Sequence, residues 1–360
     1  MKKDSLYVGI KEPLFAAANS GKGFVSFYGD IFGRETIERK YIIKGGPGTG
    51  KSSFMKKVAA FAEGKGKAVE YYRCSSDPDS LDGIVVDQRI ALIDGTSPHS
   101  EDVEIAGARD EIINLGEFWN DERLFSKYEE IKKTSDQKSK AYRMAYRYLD
   151  ACLDIENINY SLLIPCILKS KMKKCAERIV ERIPRGKNGR ILAGLEGSLG
   201  MKGQVRFSSY IKEAKRLFAI SDYYNSASLF LAEIADAGLK NNNLMRVSYD
   251  HLSASRPDSV YFVESGVCFV IAEKNESSLL TEAVEISMKR FVDPVLLKEV
   301  KGEIRSNFKI ANALLGAASD SMRSAGEYHF LLEEIYKQCM DFESQNRFCQ
   351  GFCEKIEKYL

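Results

Sequence analysis

Lys51 and Ser52 close the run Gly45-Gly46-Pro47-Gly48-Thr49-Gly50-Lys51-Ser52, which has the spacing G-x-x-x-x-G-K-[ST]. That pattern suits a polyphosphate. Glycines let the backbone turn tightly enough for the amides of Gly48, Thr49, Gly50 and Lys51 to converge on an anion. Lys51 then supplies a cation for the β- and γ-phosphate oxygens, the Ser52 hydroxyl a ligand for Mg²⁺, and Ser53 a further phosphate contact. At average residue usage a chain of this length would match the pattern by accident only ~2% of the time.

Four other groups have the chemistry to work with this loop. In Arg89-Ile90-Ala91-Leu92-Ile93-Asp94 an apolar strand ends in a carboxylate, the pattern that delivers an aspartate to the magnesium's water shell. No glutamate follows Asp94, so the base that many ATPases carry there is missing; His99 is a candidate base or sensor, with a histidine that simply bonds its own loop as the competing reading. The polar segment 74–83 carries Asp77, Asp79 and Asp82, any of which would meet the metal, an attacking water or an acceptor hydroxyl; Asp-Pro and Asp-Gly turn chemistry is the competing reading. Further on, His329, Glu333 and Tyr336 recur along one edge of an expected helix, as cleft residues or as ordinary packing.

Strands and helices must position these groups. Short strands are expected at 6–10 and 23–28, and a strand at 41–44 leads into the glycine run. Phe54, Met55, Val58, Ala59 and Ala62 recur at helical spacing after it, up to a stop at Gly64. A strand over 67–72 completes a strand, helix, strand unit, which predicts parallel strands and places the 74–83 loop at the same sheet edge as the glycine run. Residues 101–183 read as helices, with a basic run from Lys169 to Arg190 on the face opposite an apolar stripe. A solvated face explains that run; a nucleic acid or acidic partner is the less favoured alternative.

Beyond a breaker at 184–189 the chain repeats itself. Lys202-Gly203-Gln204-Val205-Arg206-Phe207 echoes Lys22-Gly23-Phe24-Val25-Ser26-Phe27, and Phe230-Leu231-Ala232-Glu233-Ile234-Ala235 echoes Phe54-Met55-Lys56-Lys57-Val58-Ala59. In that alignment the glycine run becomes residues 221–228, with Ala227 in the place of Lys51 and an added carboxylate at Asp222. The second copy is therefore expected to keep the fold and to have lost the site. The division expected is 1–185, a nucleotide-binding α/β domain with a helical extension, and 186–360, a degenerate repeat with C-terminal helices.

Composition sets the frame. The chain has 360 residues, 44% hydrophobic and 29% charged, with a net charge of +2, which is the profile of a soluble globular protein of two domains. No apolar window of about 18 residues predicts a membrane span. Two lysines near Met1 are followed by no apolar segment of signal-peptide type, so a cytoplasmic protein with no membrane partner is expected. The eight cysteines form no C-x-x-C pair and read as reduced core thiols; Cys349 and Cys353, one helical turn apart, have ligand spacing but no second pair.

With the glycine run, the 94–99 segment Asp-Gly-Thr-Ser-Pro-His, the segment Asn114-Leu115-Gly116-Glu117-Phe118-Trp119 and the repeat in view, the sequence resembles bacterial P-loop ATPases built from a tandem duplication and nucleotide kinase-like in type. The resemblance implies a P-loop NTPase fold, α/β with a parallel-sheet core, in two copies. In such relatives the second copy commonly keeps a phosphate loop, and this chain departs from that at 221–228. The function expected is hydrolysis of ATP, or another NTP, with Mg²⁺ at one N-terminal site, the second repeat being inactive and regulatory. A nucleoside or nucleotide kinase and a non-catalytic nucleotide-gated module are the alternatives, which leaves a small-molecule acceptor, a protein partner and homo-oligomers open.

Overall fold

A computed structural model describes residues 12–98, 100–272 and 279–360; the strand expected at 6–10 and the candidate His99 lie outside them. In the first repeat β1 (Leu14–Phe15) precedes a hairpin of β2 (Ala17–Ser20) and β3 (Gly23–Ser26). Then come α1 (Tyr28–Phe32), β4 (Arg39–Lys44), α2 (Lys51–Gly64), β5 (Val69–Arg73), β6 (Leu81–Val86), β7 (Ile90–Asp94) and β8 (Asp110–Asn114). A 3-10 turn (Leu115–Phe118) leads to α3 (Asp121–Ser126), the long α4 (Tyr128–Leu163) and α5 (Lys169–Val180).

The second repeat follows the same plan. It runs through β9 (Arg190–Gly194), the hairpin β10 (Gly197–Gly200) and β11 (Gly203–Arg206), α6 (Ser209–Glu213), β12 (Arg216–Ser221), α7 (Ala227–Lys240), β13 (Leu244–Tyr249), β14 (Pro257–Phe262), β15 (Val267–Ile271) and β16 (Val284–Ser287). A 3-10 turn (Met288–Phe291), the long α8 (Pro294–Lys337) and α9 (Phe342–Glu357) complete it.

Each repeat builds a six-stranded sheet, in the orders β1-β5-β6-β7-β4-β8 and β9-β13-β14-β15-β12-β16. The orders match position for position. So does an irregularity, a register shift at Tyr72/Arg73 in one sheet and at Ser248/Tyr249 in the other. The protein is thus an α/β chain of two similar domains in tandem.

Both sheets are mixed, which corrects the expected parallel core. β6 and β14 run antiparallel to both neighbours while the other pairs are parallel. β6 begins inside what reads as a polar loop, so Asp82 stands on a strand. β8 falls inside the segment that reads as helical.

Burial explains the central strands. Ile90, Ala91, Leu92 and Ile93 are all buried, as are Leu81, Ile84, Val85 and Val86, so these runs have core on both faces and need no polar alternation. On one face lie Phe54, Met55, Val58, Ala59 and Ala62 of α2.

The repeats are laced together. α4 and α8 pair antiparallel, since Cys152 meets Ala311 and Asn159 meets Ile304. Small side chains (Ala145, Ala311, Ala318) let the two approach closely. The closing helices are exchanged: Met172, Ala176 and Val180 of α5 pack with Phe230, Leu231 and Ile234 of α7, while Cys349, Phe352 and Ile356 of α9 pack with Tyr41, Phe54 and Val58 of the first repeat. Repeat and packing unit therefore differ. All eight cysteines are free, Cys349 and Cys353 among the core residues of α9. No described helix is long and apolar enough to cross a membrane.

Candidate functional site

The glycine run forms the connection from β4 to α2. Gly48 and Gly50 take φ of 69° and 81°, a region that disfavours any side chain, and Gly50 caps the helix in that conformation. Thr49, wholly buried, donates from Oγ1 to the Gly46 carbonyl at 2.8 Å, which pins the loop on itself. The first turn of α2 leaves amides with no acceptor inside the helix, the positive end of its dipole.

Lys51 Nζ donates to the carbonyls of Gly45 and Gly46, each at 2.9 Å, and lies 3.6 Å from Asp94 Oδ2. β4 and β7 are parallel neighbours with Ile43 opposite Asp94, so the two strands deliver loop and carboxylate to the same edge. Asp94 Oδ1 accepts from the Thr96 amide at 2.9 Å, which orients the carboxylate. Lys44 closes the edge by donating to the carbonyls of Gly95 and Glu101, both at 2.6 Å. The Ser52 hydroxyl accepts from the Leu81 amide at 3.1 Å, tying α2 to the start of β6. Pro47 is half-buried and Ser53 exposed.

The three carboxylates of residues 77–82 separate. Asp77 accepts from the Ser80 hydroxyl at 2.9 Å and pairs with Lys202 at 3.1 Å, and the exposed Asp79 also pairs with Lys202. Lys202 holds the Asp79 carboxyl below its usual range. Their surroundings are those of a turn, clasped by the β10–β11 hairpin. Asp82 is different. It is buried, it is the extra residue of the bulge opposite Tyr72/Arg73, and it follows the pair Gly83 and Ile93 in register, next to the end of β7 that carries Asp94.

Two residues with no sequence signal join this group. Tyr28, at the start of α1, has its hydroxyl raised well above the ordinary range by burial and then by the carboxylates of Asp82 and Asp94. Cys74 is raised by burial and by Asp82. From α4, Lys138 is held below the usual lysine range by burial and by the charge of Lys51. Nothing in the spacing of α4 distinguishes Lys138 from its other surface lysines.

The second repeat covers the loop. A side chain at Gly46 would meet the Tyr336 ring at 3.0 Å, and one at Gly48 the Glu333 carbonyl at 2.5 Å. Gln345, buried on α9, donates to the Thr49 carbonyl at 2.7 Å. Of the edge read from sequence, Tyr336 and Glu333 reach the loop, and His329 sits 3.4 Å from Glu333, where its hydrogen bond holds that carboxyl low. Beside Tyr336, whose ring lies 6.2 Å from Trp119, opens a cavity of about 550 Å³ lined by Trp119, Arg123 and Asp341.

Comparison of the chain with protein-family models, with curated proteins and with solved structures found no match.

Proposed function

We propose that the chain is a P-loop NTPase that hydrolyses ATP, or another nucleoside triphosphate, at one site in the first repeat. The observation that carries this reading is the meeting of Lys51 with Asp94, 3.6 Å apart at the ends of adjacent parallel strands and beside left-handed glycines. The equivalent places in the second repeat hold Ala227 and Ile271.

The donors suit Mg²⁺. A hydroxyl and a carboxylate are hard oxygen ligands, and this ion takes one or two carboxylates with phosphate and water oxygens completing its shell. Among the described residues no group of three or more His, Cys, Asp or Glu could hold a metal, so Ser52 and Asp94 would share it with the substrate. When bound, the ion would neutralise charge on the β- and γ-phosphates.

The protein's own part is positioning and electrostatics. The loop amides and Lys51 hold the β- and γ-oxygens and stabilise charge that moves to them as a water oxygen bonds to the γ-phosphorus and the β–γ bridge breaks. The water's proton passes to a carboxylate, and Asp82 is the one of the three that lies beside Asp94. Lys138 adds a second cation near Lys51.

The cavity beside Trp119 favours a second reading, transfer of the γ-phosphoryl group to a small acceptor such as a nucleoside or nucleotide. Product analysis with labelled ATP and Mg²⁺, with and without such acceptors, separates the two. Label on free phosphate, lost in Lys51→Ala, is the expected result; label on an acceptor makes the chain a kinase; turnover unchanged in Lys51→Ala refutes both.

A further inference from the structure

Two cavities sit at equivalent places in the two repeats. Antiparallel bridges Trp119–Met340 and Ile167–Val292 set the correspondence: each repeat's 3-10 turn meets the closing helix that follows the other half of the α4–α8 pair. The cavity beside Trp119 presents Glu117 and Ser344. Its counterpart, about 440 Å³, presents Arg290 and Lys171 at those two positions, with Lys174 and Arg178 along the same wall of α5. Where Lys174 and Arg178 stand, the first cavity's helix has Arg347, paired with Glu343, and Gly351. Three of the four positions thus carry no cation in the first cavity, and the fourth carries one that is neutralised by a glutamate.

We infer that this second cavity is a binding site for a small oligophosphate anion, separate from the phosphate loop and independent of its function. All four cations are exposed, and none forms an ion pair with a described carboxylate. That contrasts with Arg347, Lys355 and Lys337, each paired with a glutamate. Two of the four are held in place: Lys171 donates to the Arg290 carbonyl at 2.7 Å, and the Arg290 guanidinium lies 5.2 Å from the Phe291 ring centre.

Size and lining select the ligand. A cavity of about 440 Å³ accepts a small molecule rather than a protein segment, and cations that converge from two walls concentrate a multiply charged anion. Arginine and lysine together favour phosphate oxygens. The apolar lining is Cys175 and Phe291, and Phe291 is fully buried, so neither a protein's apolar anchor nor a stacked base finds a seat. Phosphates must carry the recognition.

The test is calorimetric titration of the full chain with sodium tripolyphosphate, performed in the Lys51→Ala background. Binding at one site is expected to persist there. It should weaken at least ~10-fold when Lys174→Glu and Arg178→Glu are added, and likewise with Arg290→Ser alone, with no change in melting temperature. Affinity unchanged in both variants overturns the inference. So does a short DNA duplex that binds more tightly than tripolyphosphate with a steep salt dependence, since the surface then serves a polymer.

Discussion

The loop after β4 and the loop after β12 occupy the same place in two matching sheets and are built in different ways. In the first, Gly48 and Gly50 turn the chain and Lys51 stands beside Asp94. In the second, Asp222 takes the place of Gly45 and folds its carboxylate back, accepting from the amides of Asn225 and Ala227, each at 2.8 Å. Asn225, at the Gly48 position, keeps the left-handed conformation at φ 59°. The second loop thus carries its own anion, whereas the function proposed for the first needs its amides for an outside one. The second loop has an aspartate and lacks the lysine, and Asp222 keeps the end of α7 capped.

The same asymmetry runs through the seam. Glu70 of β5 pairs with Arg246 of β13, and the registers of the two sheets make these equivalent residues. Two identical copies would oppose like charges there. Burial pushes Glu70 up, yet Arg246 and Arg34 hold it at about 2, so the copies have diverged as complements of each other.

The comparison of loops breaks most visibly at Lys51. Lys51→Ala should lower ATP turnover by roughly 10²- to 10³-fold with little change in melting temperature, because it removes a cation from developing charge and no core contact. Asp94→Asn should lower turnover by roughly 10²-fold, whereas Ile271→Asn, its counterpart, should leave turnover alone; steady-state phosphate release reads both.

Stability experiments sharpen the comparison further. Gly48→Ala places a Cβ 2.5 Å from the Glu333 carbonyl at φ 69°, and should destabilise the chain by about 1–3 kcal/mol in denaturant melts. Asn225→Gly, at the matching position, should be neutral or slightly stabilising. Asp222→Ala frees two amides and should cost about 1–2 kcal/mol without creating nucleotide binding, since no lysine or aspartate accompanies it. The smallest effect belongs to Asp79→Asn: an exposed partner of Lys202 should change stability by less than about 1 kcal/mol and turnover hardly at all.

Much of this was legible from residues alone. The loop, the strand ending at Asp94 and the repeat with its substituted second loop rest on local patterns, and the structure sets Lys51 and Asp94 together. β6 was hidden because Asp77-Pro78 and Asp82-Gly83 are turn signals, and the bulge at Asp82 lets a strand begin inside them. β8 is a short edge strand, Asp-Glu-Ile-Ile-Asn, whose polar residues mask its pairing with β4. Tyr28, Lys138 and Gln345 could not be placed, since each reaches the site from an element distant in sequence. The exchange of α5 and α9 was equally invisible. An apolar stripe states that a helix packs, and nothing in it names the sheet it packs on.

The most direct test of one working loop and one self-satisfied loop is the stoichiometry of ATP binding with Mg²⁺, measured by calorimetry on a chain in which Lys174→Glu and Arg178→Glu have removed cations of the second cavity, alone and with Lys51→Ala or Asp222→Ala added. One nucleotide per chain is expected, lost in Lys51→Ala and kept in Asp222→Ala. Two nucleotides per chain, or one that persists undiminished in Lys51→Ala, would contradict a single working loop.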